Sequence, residues 1–246
     1  MLIRRMQPSP FDDVDTLDAY ALPDTEGRPY LRVNMVSSLD GAAAVAGRVG
    51  SLSGLADQTL LHELRTMCDV LLVGAGTIRA EGYGPLRLGE DELQLRRERG
   101  QSEAPRLAVL SRHLDLDLAG AAFNGATARP ILLTTEAASP ERRRAAERVA
   151  DVVVAGRDAV NLANAVELLA EQGLPQILSE GGPHVLAGLF AADLVDELCL
   201  ALAPLVIGGR ELRITAGDLL GVPSEMELSD VLEKDGYLFL RYRVQR

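Results

Sequence analysis

The chain has 246 residues, 47% of them apolar, enough for one large α/β domain or two small ones. Its formal net charge of −11 argues against nucleic acid or an anionic membrane as a partner. Apolar runs such as 70–73 and 131–133 are far too short to span a bilayer, and Pro8, Pro10, Asp12 and Asp13 interrupt the apolar core a signal peptide would need, so a cytoplasmic protein is expected.

Residues 1–27 read as an irregular, loosely packed N-terminal arm, acidic over 12–18, and 28–246 as a single domain. The first strong strand covers 30–37, between Pro29 and the turn Ser38-Leu39-Asp40-Gly41. After a Gly- and Ser-rich loop, Leu60, Leu61, Leu64 and Met67 recur at helical spacing and predict a helix over 55–68. An apolar run over 69–73 has strand length and ends in Gly74-Ala75-Gly76-Thr77. The charged stretch 88–104 reads as a solvated surface insertion, followed by strands at 106–111 and 130–134. Ser139-Pro140-Glu141 starts a helix, with an N-cap serine and a proline at the first helical position. Next come a strand at 152–154, a helix at 161–172 stopped by Gly173, a strand at 176–179, a helix at 183–190 and a strand at 197–203. Asp235-Gly236 joins the last two strands as a hairpin, with Leu238, Leu240, Tyr242 and Val244 on one face. Strands alternating with helices predict an α/β fold in three αβα layers, its mainly parallel sheet made mixed by the closing hairpin.

Cys68 and Cys199 lie in apolar periodic segments and read as buried thiols. His62, His113 and His184 have no metal spacing, and C-x-x-C, H-x-E and H-E-x-x-H do not occur, so neither a metal site nor a zinc deaminase module is expected. Chemistry is better sought at two glycine-containing turns, Gly74-Ala75-Gly76-Thr77 and Glu180-Gly181-Gly182-Pro183-His184. Glycine admits a phosphate close to the backbone, free N–H groups at a helix start favour negative charge, and both turns fall at strand C-termini, where parallel sheets bind ligands. A plain tight turn explains either one alone. Neither is G-x-G-x-x-G, because Arg79 stands at the third glycine position. The following strand ends in Leu110-Ser111-Arg112 rather than an acid, and a hydroxyl beside a guanidinium suits the 2′-phosphate of NADPH; an ordinary surface arginine is the other reading.

Taken together, these segments resemble the reductase domain of bacterial riboflavin biosynthesis. The likeness runs through Arg28-Pro29-Tyr30-Leu31-Arg32-Val33-Asn34-Met35-Val36-Ser37-Ser38-Leu39-Asp40-Gly41, Leu64-Arg65, Asp69-Val70-Leu71-Leu72-Val73-Gly74-Ala75-Gly76-Thr77, Glu180-Gly181-Gly182, Asp196-Glu197-Leu198, Ala203-Pro204 and Gly208-Gly209. It implies a dihydrofolate reductase-like fold, a homodimer, NADPH as cofactor, and reduction of the ribosyl group of 5-amino-6-(5-phosphoribosylamino)uracil to a ribityl group. By position, Val36, Gly74, Ala75, Gly76, Thr77, Ser111, Arg112, Gly181, Gly182, Pro183, His184 and Val185 would contact the cofactor. Asn34, Arg65 and Arg87 would meet the substrate, the two arginines at its phosphate. Glu180 would hold substrate or ribose, and Glu81 would act as the acid or orient a catalytic water, so these two are the catalytic candidates.

Two departures stand out: the riboflavin enzymes usually carry a lysine where this chain has Asn34 and an aspartate where it has Glu81. They leave two alternatives, a dihydrofolate reductase-type activity on a pteridine and a non-catalytic NADP(H)-binding protein. Asp40, in an Asp-Gly turn, reads as structural, and the Arg142-Arg143-Arg144 run as a solvated helix face.

Overall fold

The computed structural model describes residues 4–7, 13–218 and 220–245. Its elements in chain order are β1 (Arg4–Gln7), α1 (Thr16–Ala19), β2 (Tyr30–Ser38), α2 (Leu55–Met67), β3 (Val70–Gly74), α3 (Ala75–Ala80), α4 (Glu90–Glu98), β4 (Arg106–Leu110) and β5 (Ile131–Thr134). Then follow α5 (Pro140–Ala146), β6 (Asp151–Val154), α6 (Leu162–Glu171), β7 (Gln176–Ser179), α7 (Pro183–Ala191), β8 (Glu197–Ala203), β9 (Met226–Lys234) and β10 (Tyr237–Val244). They form two compact units. One comprises Met1–Pro23, Tyr30–Met67 and Ser179–Arg246; the other comprises Asp24–Pro29 and Cys68–Leu178.

In the first unit the strand order is β1-β9-β10-β8-β2. β2 and β8 are parallel, from Arg32 opposite Glu197 to Ser38 opposite Ala203, whereas β10 is antiparallel to β8 and β9, and β1 to β9. The predicted hairpin is present, with positive φ at both Asp235 and Gly236, as a tight two-residue connection demands. Its inward face is not the one that hydropathy marks. Phe239 faces Leu232 and Arg241 faces Asp230, all buried, so the apolar set of Leu238, Leu240, Tyr242 and Val244 lies on the other face. β10 lies between β8 and β9.

Arginine and aspartate can face inward because Glu197 gathers them. Its fully buried carboxylate accepts from Arg32 Nε at 2.5 Å, Arg241 Nε at 2.9 Å and the Tyr30 hydroxyl at 3.0 Å. Arg241 also lies 3.5 Å from Asp230. Burial pushes the Glu197 carboxyl up, but the Arg32 and Arg241 charges and hydrogen bonds outweigh it and hold the group below its ordinary value. The guanidinium groups of Arg32 and Arg241 stand 5.8 and 5.6 Å from the centroid of the Tyr20 ring, which is itself fully buried, and Arg241 donates to the Ala19 carbonyl. The N-terminal arm expected over 1–27 is not loosely packed at the described residues around Tyr20. It supplies β1, α1 and a tyrosine anchored on two buried cations.

In the second unit the order is β7-β3-β4-β5-β6, with β3 through β6 parallel. Every residue of β3 and β5 is buried, the signature of parallel strands covered on both faces. Val73, Val109, Leu132, Phe123 and Ala146 share its core. Asp69 ties the strand starts together: its N–H donates to Gln176 O, its carboxylate accepts from Gln176 N and Gln101 Nε2, and its carbonyl accepts from Arg106 N. Ser139 caps α5 as its sequence position predicts, and Asn161, expected as the first helical residue, is instead the N-cap of α6.

The stretch 88–104 is not simply a solvated insertion. It contains α4, whose Arg96 is fully buried and donates to Ser102 O at 2.6 Å and Cys68 O at 2.8 Å, the long stem filling apolar space while the head satisfies backbone acceptors. Cys68 and Cys199 are buried free thiols. Among the described residues, no helix is long and apolar enough to cross a membrane.

Candidate active site

The central feature of the first unit is an ion pair across 115 residues of sequence. Arg65, in the last turn of α2, forks both oxygens of Glu180, Nε to Oε1 and Nη2 to Oε2, each at 2.6 Å. The Glu180 side chain is only 6% exposed and that of Arg65 26%, so the bidentate fork is largely desolvated and orients both groups. Glu180 directly follows β7, and Gly181 has φ +80. A side chain at 181 would be strained on that account, and its Cβ would lie 3.1 Å from Met35 Sδ. Gly181 is therefore required by its own backbone and by Met35. Gly182 caps α7 without a side-chain bond, Pro183 opens the helix, His184 is exposed and Val185 half-buried. On β2, Asn34 is half-buried opposite Cys199 and Val36 is buried opposite Ala201, on the same face of the strand.

One carboxyl that the sequence reading passed over belongs here. Asp57, in the first turn of α2, is buried and accepts from Ser53 Oγ at 2.5 Å. Burial pushes its carboxyl up, with nearby Glu180 adding to the effect. The available signal was the order Ser53-Gly54-Leu55-Ala56-Asp57, a helix start with an acid in its first turn.

Asp40 has the structural role expected of it. Its carboxylate accepts from Ser38 Oγ at 2.5 Å, Ile207 N at 3.1 Å and Gly208 N at 2.6 Å, clamping two loops of the unit together. The Ser38 hydroxyl foremost, then the Gly208 and Ile207 N–H groups, hold its pKa down to about 2. A depressed carboxyl stabilises the fold above its ordinary pKa, and that contribution is lost as pH falls through about 2. Asp40→Ala is expected to speed hydrogen exchange at the Ile207 and Gly208 amides at neutral pH, read by NMR. Unchanged protection at both would mean that the clamp is not what holds the loop.

In the second unit, the stretch 74–77 is less a turn than a helix start. Gly74 is the last residue of β3 and the N-cap of α3, and Ala75, Gly76 and Thr77 form the first helical turn. Like α7, and unlike α5 and α6, α3 has no side-chain cap at its N-terminus. Glu81 is the C-cap of α3, its N–H on Thr77 O, and Arg87 is exposed in the following loop. Ser111 is buried at the end of β4 with Arg112 exposed beside it. Among the described residues, no group of His, Cys, Asp and Glu is arranged to hold a metal ion.

Residues 29–233 match the family model of the RibD C-terminal domain. The chain is 30% identical over 199 residues, 76% of its length and 82% of the relative's, to the 2,5-diamino-6-ribosylamino-4(3H)-pyrimidinone 5′-phosphate reductase of Methanothermobacter thermautotrophicus. It is 31% identical over 186 residues, 75% of its length and 84% of the relative's, to the reductase of the same name from Archaeoglobus fulgidus. Among solved structures it is similar to a pyrimidine reductase-like protein from Corynebacterium diphtheriae, with a TM-score of 0.84, 29% identity, and coverage of 95% of this chain and 100% of that one. Acinetobacter baumannii RibD shares the fold at a TM-score of 0.72 and 18% identity, over 94% of this chain and 62% of that one.

Proposed function

The chain belongs to the RibD C-terminal domain family, and from that premise we propose that it is an NADPH-dependent reductase of riboflavin biosynthesis, turning the ribosyl group of a 6-ribosylaminopyrimidine 5′-phosphate into a ribityl group. The observation that carries this reading is the family match over 29–233 together with the buried Arg65–Glu180 fork inside it. The archaeal relatives are named for the 2-amino pyrimidinone, and the 2-oxo analogue is the 5-amino-6-(5-phosphoribosylamino)uracil expected from the sequence. The two differ only at pyrimidine C2.

The donor set suits NADPH. At the end of β4 the chain offers Ser111 and Arg112 and no acid, the pairing that accommodates a 2′-phosphate rather than a free ribose hydroxyl. In the second unit, Gly74, Ala75, Gly76, Thr77, Ser111 and Arg112 would hold the cofactor, and in the first unit Val36, Gly181, Gly182, Pro183, His184 and Val185. The uncapped start of α7 leaves first-turn N–H groups suited to a phosphate.

When bound, the nicotinamide supplies hydride to C1′ of the ribosyl group. As the C1′–H bond forms, the C1′–O4′ bond breaks and its electron pair leaves on O4′, which must take up one proton. Glu81 holds that proton or orients the water that delivers it. Glu180, fixed by Arg65, accepts hydrogen bonds from substrate hydroxyls and sets the sugar against the hydride. Asn34 would meet the substrate in the first unit, Arg65 would extend to the phosphate while forked to Glu180, and Arg87 would do so in the second unit. NADPH oxidation should be assayed with the 2-amino substrate, the 2-oxo substrate and dihydrofolate in parallel. The proposal requires turnover of a ribosylaminopyrimidine phosphate; turnover of dihydrofolate alone, or of nothing, would reject it.

The protein is also proposed to pair with a second copy of itself through the outward face of β8, β9 and β10. There Leu202, Leu200 and Leu198 stand opposite Leu238, Leu240 and Tyr242, and Val231, Leu228 and Met226 opposite Leu240, Tyr242 and Val244. An apolar face of that extent belongs in an interface. Sedimentation equilibrium should give a dimer, and a monomer across micromolar concentrations would refute the pairing.

A further inference from the structure

The loop after β4 is fixed more firmly than its exposed position requires. Ser111 N donates to Leu133 O at 2.9 Å, and the Arg112 carbonyl accepts from Thr134 Oγ1 at 3.2 Å and Thr135 Oγ1 at 2.9 Å, both threonines being fully buried. That backbone leaves the Arg112 side chain exposed. Arginines from two helices then grip His113 and Asp115, just beyond it. Arg79 of α3 donates Nη1 to Asp115 O at 3.0 Å. Arg142 of α5 donates Nη1 to His113 O at 3.2 Å and sets Nη2 3.5 Å from Asp115 Oδ1. The first residue of the run expected to be a solvated face thus reaches a loop already held by Arg79.

Two guanidinium groups, of Arg79 and Arg142, therefore converge on one short loop that itself carries Arg112, in a chain of net charge −11. The carboxylate paired with Arg142 is a poor match for it. At 3.5 Å the contact is longer than a charge-assisted hydrogen bond, and with side chains 49% and 77% exposed water screens it. A phosphate monoester carries more charge than a carboxylate and three acceptor oxygens, so it would displace Asp115 from Arg142.

Resting on the NADPH reading above, the geometry points to Arg142 as a specificity-determining cation for the cofactor's 2′-phosphate, with Asp115 as a competing anion built into the same loop. Arg142 pairs with Asp115 until the phosphate replaces it, while Arg79 and the Thr134–Thr135 hydroxyls keep the loop in place. The arrangement makes removal of the acid and removal of the base act in opposite directions, which a merely bracing role for Arg142 would not do.

Calorimetric titration of the full chain with NADPH, NADH, adenosine 2′,5′-bisphosphate and adenosine 5′-monophosphate tests this. Arg142→Ala should weaken NADPH and the bisphosphate about tenfold and leave NADH and the monophosphate unchanged. Asp115→Asn should tighten the first pair about twofold to threefold, again without effect on the second. Equal losses on NADPH and NADH in Arg142→Ala, or no tightening in Asp115→Asn, overturns the assignment while leaving the cofactor reading intact. If the unsubstituted protein fails to prefer NADPH over NADH, both readings fall together.

Discussion

Glu197→Gln is expected to destabilise the first unit by about 3–5 kcal/mol, the cost of breaking a buried ion pair from one side. The substitution keeps the volume and one acceptor but takes from Arg32 and Arg241, both nearly fully buried, the carboxylate that they share. The readout is the urea midpoint at constant slope. A shift equivalent to less than about 1 kcal/mol, the range of a surface pair, would mean that Glu197 does not carry the charge of both arginines. The same cluster sets an acid limb. The Glu197 carboxyl lies below its ordinary value in the folded protein, so its contribution is present above the unfolded pKa and disappears as pH falls through the folded one. The acid-side loss of stability should therefore be smaller in Glu197→Gln than in the parent.

Glu180→Gln is expected to lower kcat/KM by about a hundredfold, because the amide cannot hold the Arg65 fork and the sugar loses its orientation. The change should appear in KM as well as kcat, since Glu180 is assigned to both binding and alignment. Glu81→Gln should instead act on kcat and leave KM unchanged, as expected of a group that handles the proton on O4′. Variants retaining kcat/KM within about twofold, with unchanged urea midpoints, would take the corresponding residue out of the mechanism.

The alternation of strands and helices, the Ser139 cap and β8 over Glu197–Ala203 were legible because each rests on local chemistry: periodicity, a capping oxygen, an apolar run. What escaped rests on partners distant in sequence. Arg32 and Glu197 lie 165 positions apart and Glu197 and Arg241 lie 44 apart. Without those pairings nothing local marks Arg241 as an inward residue, so the alternation on β10 leaves open which face meets the core. Tyr20 escaped for the same reason, because its anchor is two arginines of the sheet rather than an apolar stripe. Arg96 looked solvated among charges until its carbonyl acceptors at Cys68 and Ser102 were found.

At the candidate site, Glu180 stood out in the sequence as an acid between an apolar strand and two glycines. Its fork with Arg65 did not, although both residues had been marked for the substrate. Asp57 remained unseen because an acid in a first helical turn normally needs no explanation beyond the helix dipole.

The most direct test of the reductase assignment is isotope transfer. With NADPH deuterated at both C4 positions of the nicotinamide, a ribosylaminopyrimidine 5′-phosphate should yield a ribitylamino product carrying one deuterium at C1′, formed one-for-one with NADP⁺. A product without label at C1′, or oxidation of NADPH with the ribosyl group intact, would contradict hydride delivery to the sugar.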